Sequence, residues 1–212
     1  MLAPDERLAH LAPSMRFSQK ESSWILDQLH PAEWHFLCEL PEIASGRGFD
    51  EASRQRLLPD PLNLPMEEKE KEAEFLSDWE EFVKPDLELA FRSAREKVEA
   101  DLETVSVGDP PDISLPEDAD ESQKEALSEL LSMNWRRIEV GIEDSDAWYS
   151  TLNQARILLN EVHDLAEDDS RFLNAMVRED DSEMDENKAM LLAQYEFYSV
   201  IQSILIDQVM DH

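Results

Sequence analysis

Apolar positions recur at helical spacing along most of this chain, and between Ser145 and Ala166 they occupy more than one side of the same helix. At about 100° per residue, Trp148, Leu152, Ala155, Leu159, Val162 and Ala166 fall on one stripe, Leu158 and Leu165 widen it, and Ile157 points the opposite way. A helix with so little polar circumference is expected to be buried by its neighbours, so residues 145–166 are read as the central buried helix. The acidic run Glu143-Asp144-Ser145-Asp146 fixes its start, because those side chains accept from free backbone amides and suit the positive end of the helix dipole. Beside the apolar stripe lies a polar row, Tyr149, Asn153, Arg156, Asn160 and His163. On a buried helix such a row needs partners.

Upstream, Ser18-Gln19-Lys20-Glu21, preceded by Phe17, has the form of a capping box and predicts a first helix through Trp24, Ile25 and Leu29. Pro31 opens a second helix, expected to stop at Pro41, and a third is expected from Asp50 to Pro59. The prolines at 59–65 make a stiff, extended connection. From Met66 to Thr104 one amphipathic pattern carries Phe75, Trp79, Phe82, Leu87, Phe91, Ala94, Val98 and Leu102, interrupted by Pro85, which implies two tandem helices or one kinked helix. Residues 106–120, with one glycine and three prolines, read as a surface loop.

A helix from about Glu121 to Trp135 follows. Ile138, Val140 and Ile142 alternate with Glu139 and Gly141, either as one short extended segment or as a helix end, and no second strand is evident to pair with it. A short helix around Phe172 and Met176 and a last one from Ser182 through Tyr195, Tyr198, Ile201 and Val209 complete the pattern. The expected fold is therefore all-α. It is a single-domain bundle of about seven to eight helices over residues 18–212, after an N-terminal segment at 1–17.

Charge changes this picture more than composition does. The chain carries 19 basic against 50 acidic residues, a net −31. The first 58 residues hold only nine of the acids and six of the bases, so the later part is the acidic body. Such a charge repels phosphate backbones and anionic bilayers, so neither nucleic acid nor membrane is an expected partner, whereas basic partners remain open. The single cysteine, Cys38, excludes an internal disulfide and reads as a small core residue more than a nucleophile. With no apolar leader and no apolar run long enough to span a bilayer in view, a cytoplasmic setting is expected.

The chemistry-bearing motifs are sparse. Di-iron bundles need Glu-x-x-His pairs; here only Asp27-x-x-His30 resembles half a site. No phosphate-cradling glycine loop, nucleophile elbow or zinc cysteine pair occurs, so no cofactor, metal or enzymatic activity is expected. The acidic runs at 67–81 and 179–186 read as solvated helix faces rather than cation sites. In the polar row, Tyr149, Asn153, Arg156 and Asn160 are the candidate binding residues. Arg156 reads more as a structural residue holding a carboxylate such as Glu74 from a neighbouring helix than as a ligand-binding one. His163 reads as a helix-end histidine.

Two stretches, WYSTLNQARILLNE from Trp148 and YEFYSVIQSIL from Tyr195, with Glu74-Phe75 as a weaker third, resemble an uncharacterised bacterial family, a domain of unknown function. Its genes often neighbour that of the Clp protease adaptor. The resemblance covers roughly the last two-thirds of the chain and departs from the family pattern at Gln154, where an acidic or apolar residue is more typical. It implies helices and a cytoplasmic, bacterial setting. The leading expectation is thus a non-enzymatic interaction or regulatory protein linked to Clp-type proteolysis, with a protein partner. The alternative is a small-molecule or metal-binding protein using the polar row. A weaker one is an acidic nucleic-acid mimic, which requires its carboxylates in two regular stripes, although a high-salt habitat would equally produce an acidic surface.

Overall fold

The architecture, from a computed structural model, is described for residues 15–58, 61, 73–113, 115–116, 120–165 and 186–210. It is mixed α/β, which overturns the expected all-α bundle of seven to eight helices. A four-stranded sheet in the order β1-β2-β4-β3, every pair antiparallel, is formed by β1 Arg16–Gln19, β2 Ser23–Leu29, β3 Ser106–Val107 and β4 Arg136–Gly141. The segment read as the first helix is therefore a hairpin, closed where the Lys20 amide donates to the Ser23 carbonyl at 2.8 Å. The local capping signal, worth about 1 kcal/mol, loses to burial. Trp24, Ile25, Leu26 and Leu29 are all at most 3% exposed, on an interior strand paired on both sides, with β1 and β4.

In the register, Trp24 faces Val140 and Leu26 faces Ile138, so these four share one buried face, while Ile25 and Glu139 share the other. The alternation of Ile138, Val140 and Glu139 is thus that of a true strand. Its pairing partners were concealed in the supposed first helix and in the loop at 106–120.

A break in β2 explains the concealment. The register shifts between Leu26 and Leu29, where Gln28 takes φ 55° and the Gln28 amide donates to Asp27 Oδ1 at 2.8 Å. This bulge spoils the period of two. Asp27 also accepts from the Asp109 amide at 3.3 Å and pairs with Arg137 Nη1 at 3.2 Å, tying β2, β4 and the start of the loop together.

The helices are α1 Pro31–Ala44, α2 Glu51–Gln55, α3 Ala73–Asp78, α4 Lys84–Leu102, α5 Glu121–Leu131, α6 Ser145–His163 and α7 Glu186–Ile204. α1 does not stop at Pro41 but carries it inside and ends at Ala44, and Gly46, with φ of 72°, makes the turn after it. Asp50 caps α2, accepting from the Ser53 amide at 2.7 Å, which holds the Asp50 carboxyl below its ordinary range. Between α3 and α4 the backbone continues through a π-helical turn, Trp79–Val83, immediately before Pro85. The interruption of the apolar period therefore belongs to the wider π turn as well as to the proline. Asp120 and Gln123 form a reciprocal capping box at the start of α5, and α7 continues as a π turn, Leu205–Met210.

The chain forms two compact units. One comprises Met1–Glu39, Ala100–Ser145 and Ile204–His212, and the other Leu40–Glu99 and Asp146–Ser203. In the first, Phe36, Leu37, Trp135 and Leu205 are buried along with the sheet residues, and Trp24 Nε1 donates to Ser145 Oγ at 3.1 Å. In the second, Trp148, Leu152, Ala155, Leu158 and Leu159 of α6 are at most 2% exposed, as are Leu192, Tyr198 and Ile201 of α7. Val162, expected on the buried stripe, is 45% exposed. By length and composition, Asn187–Met210 could cross a membrane, contrary to the expectation that no run would. In this fold that stretch carries buried Gln194 and Gln202 beside its core residues. The expected helix around 172–176, the start of the last helix at Ser182, residues 1–14 of the N-terminal segment and most of the connection at 59–65 lie outside the described residues.

Candidate functional site

The polar row of α6 faces polar groups of α7, and the two form a seam in the second unit. Arg156 Nη1 donates to Gln202 Oε1, and Nη2 donates to the Tyr195 hydroxyl at 3.2 Å. The guanidinium carbon also lies 4.9 Å from the Tyr195 ring centroid, within cation–π range. Gln202 Nε2 in turn donates to Asn153 Oδ1 at 3.5 Å. Asn153 and Arg156 are thereby brought together through Gln202, while Tyr149 and Asn160, on the same side of α6, are half-buried. The candidate carboxylate partner Glu74 is exposed on α3. Arg156 is bonded to neutral groups instead, and its buried Nε has no hydrogen-bond partner among the described residues.

A second polar layer escaped sequence reading. Gln154, 2% exposed, accepts from Arg95 Nη1 of α4 at 2.5 Å and donates to Ser150 Oγ at 3.1 Å. Gln194 Nε2 donates to the buried Tyr198 hydroxyl at 3.0 Å, one turn along α7. The signal available was three glutamines within apolar helix faces, at 154, 194 and 202. A buried amide has to find partners, and the departure from the family pattern at Gln154 is met by Arg95.

The remaining candidates are dispersed. Asp27 and His30 do not form half a metal site: Asp27 pairs with Arg137, whereas His30 Nδ1 accepts from the Ala32 amide at 3.2 Å and its ring stands edge-on to Trp135 at 5.7 Å. Among the described residues no cluster of His, Cys, Asp or Glu could hold a metal ion. Cys38 is exposed and not a core residue. Partial desolvation of its sulfur, with Glu39 adding to it, pushes the thiol up and away from the reactive thiolate. His163 ends α6, and burial followed by Lys188 holds its imidazole below the ordinary histidine value.

A different kind of surface runs along α3, the π turn and the first half of α4. No residue from Ala73 to Ser93 is buried. Phe75 is 47%, Phe82 60%, Val83 41% and Leu89 58% exposed. In the same helix Val98 is wholly buried and Ala94 and Leu102 are at 9%, so the apolar pattern is seated at its C-terminal end and open at its N-terminal end.

No curated protein and no solved structure matches the chain. The family model of a domain of unknown function, DUF2017, matches residues 26–209, and the chain belongs to that family.

Proposed function

We propose that this is a bacterial, cytoplasmic, non-enzymatic interaction or regulatory protein linked to Clp-type regulated proteolysis, and that it meets its partner through the open apolar face of residues 73–93. The observation that carries the reading is the exposure of Phe75, Phe82, Val83 and Leu89 on one helical segment. Clustered large apolar side chains at a surface are the usual mark of a protein contact. The link to proteolysis rests on the gene neighbourhood associated with the family and is associational. A pull-down from the native cytoplasm, read by mass spectrometry, tests both parts. Wild-type bait should recover a component of the Clp machinery, and Phe82→Ser/Leu89→Ser bait should lose it. Equal recovery by both baits, or none by wild type, overturns the reading.

One observation favours a second reading, a small-molecule site on the polar row. Arg156 brings a guanidinium whose Nε is unbonded among the described residues, and a small anion could use it. Small carboxylates that raise the melting temperature of wild type but not of Arg156→Ala would put this reading first.

A further inference from the structure

We propose that residues 73–93 dock a cationic amphipathic helix of the partner protein. This rests on the reading that the protein acts through a protein partner and names the chemistry of that partner. At 1.5 Å per residue the segment is about 30 Å long, and a helix of that length draws its stability chiefly from packing an apolar face. Here full burial stops at Ala94: toward the N-terminus Leu76, Trp79, Leu87 and Phe91 are half-buried, while Phe75, Phe82, Val83 and Leu89 stand exposed. Phe82 and Leu89, 60% and 58% exposed, stand two turns apart on one side, the interval at which one helix seats another.

Charge selects the occupant. Between Ala73 and Ser93 the chain carries Glu74, Asp78, Glu80, Glu81, Asp86 and Glu88 against two bases, Lys84 and Arg92. Lys84 is already held by Glu80 at 2.9 Å. A second copy of this chain would bring two such acidic segments side by side, and like charges in juxtaposition oppose docking. An anionic lipid surface is repelled in the same way. A helix with an apolar stripe bordered by lysine or arginine satisfies both the open face and its acidic margins.

The probe is a fluorescent peptide of about 20 residues, with leucines at helical spacing flanked by lysines, titrated with the full chain. A second peptide keeps the leucines and replaces the lysines by glutamates. The lysine peptide should bind one-to-one, lose affinity several-fold at about 0.5 M salt, and bind at least tenfold more weakly to Phe82→Ser/Leu89→Ser, which leaves the charge unchanged. The glutamate peptide should not bind. Equal binding of the lysine peptide to wild type and variant would mean bare charge attraction and overturns the proposal, as does equal binding of the two peptides. Self-association of wild type that disappears in the variant, read by sedimentation, would assign the face to a second copy and also overturns it. If neither peptide binds while the pull-down still loses its partner with the variant, the docking face stands and the cationic partner is wrong. Because both substituted positions are exposed, the variant's melting temperature should match wild type.

Discussion

Arg156 shows how far a single residue can be read from sequence. Its place beside an apolar stripe says that the guanidinium must be satisfied, but spacing alone does not say by what. A carboxylate was the expected partner, whereas the structure supplies the Gln202 amide and the Tyr195 hydroxyl and ring. Hydrogen bonds to a charged group contribute about 1.5–3 kcal/mol each in favourable cases. Arg156→Ala should therefore cost about 1–3 kcal/mol in urea unfolding, and neutralising Glu74 in that background should restore nothing. Arg156→Lys should recover little, since an ammonium cannot reproduce the planar fork. A wild-type unfolding curve for Arg156→Ala would free the side chain for a ligand. His163 adds a pH signature. Burial, then Lys188, lowers its native value, so the stability it contributes is present above the ordinary histidine value and is lost as the pH falls through the lower native one. Its imidazole titration by proton NMR should give a midpoint below that of a free histidine, and Lys188→Ala should raise that midpoint. A midpoint at the ordinary value would mean that the ring is solvated.

At the scale of elements, helices with caps and a sustained period were legible, and strands were not. Asp50, Asp120 and the Glu143–Asp146 run mark real helix starts. The sheet was hidden because its evidence is long-range. β2 draws its identity from neighbours more than 100 residues away in β4, its bulge at Gln28 breaks the alternation, and β3 is only two residues long. The candidate seam was half legible for the same reason: α6 displayed Asn153 and Arg156, but their partners, Tyr195 and Gln202, lie on α7 among the apolar positions that dominate its pattern. Gly108 tests the hidden sheet. It was read as one loop residue among prolines, yet its amide donates to the Trp135 carbonyl at 3.0 Å, and a Cβ there would meet the Arg136 carbonyl oxygen at 2.5 Å and Asp27 Oδ1 at 3.0 Å. Backbone offers no rotamer to yield. Gly108→Ala should therefore destabilise by about 1–3 kcal/mol and speed amide exchange along β3 and β4. An alanine variant with unchanged stability would mean that the β3–β4 edge is not packed as described.

For the whole molecule the dominant quantity is the net charge of −31. Of the bridges among the described residues, Lys20–Glu139, Arg54–Glu51 and Lys84–Glu80 lie at or near the surface, where pairs contribute little. With 50 acids against 19 bases, most carboxylates have no cation available to them anywhere in the chain. The folded state therefore confines unbalanced like charges that the unfolded chain can spread apart, and self-repulsion lowers stability at neutral pH. Salt screens that repulsion over a Debye length of about 10 Å at 0.1 M and about 3 Å at 1 M. Raising sodium chloride from low to molar concentration should raise the melting temperature, by about 2–4 °C for each kcal/mol of repulsion relieved in a chain of this size. The same addition should weaken a cationic partner held at the margins of residues 73–93, so stability and affinity should move in opposite directions along one salt titration. A melting temperature indifferent to salt would mean that the carboxylates are spaced widely enough not to feel one another. That outcome would remove the electrostatic basis for a basic partner as well.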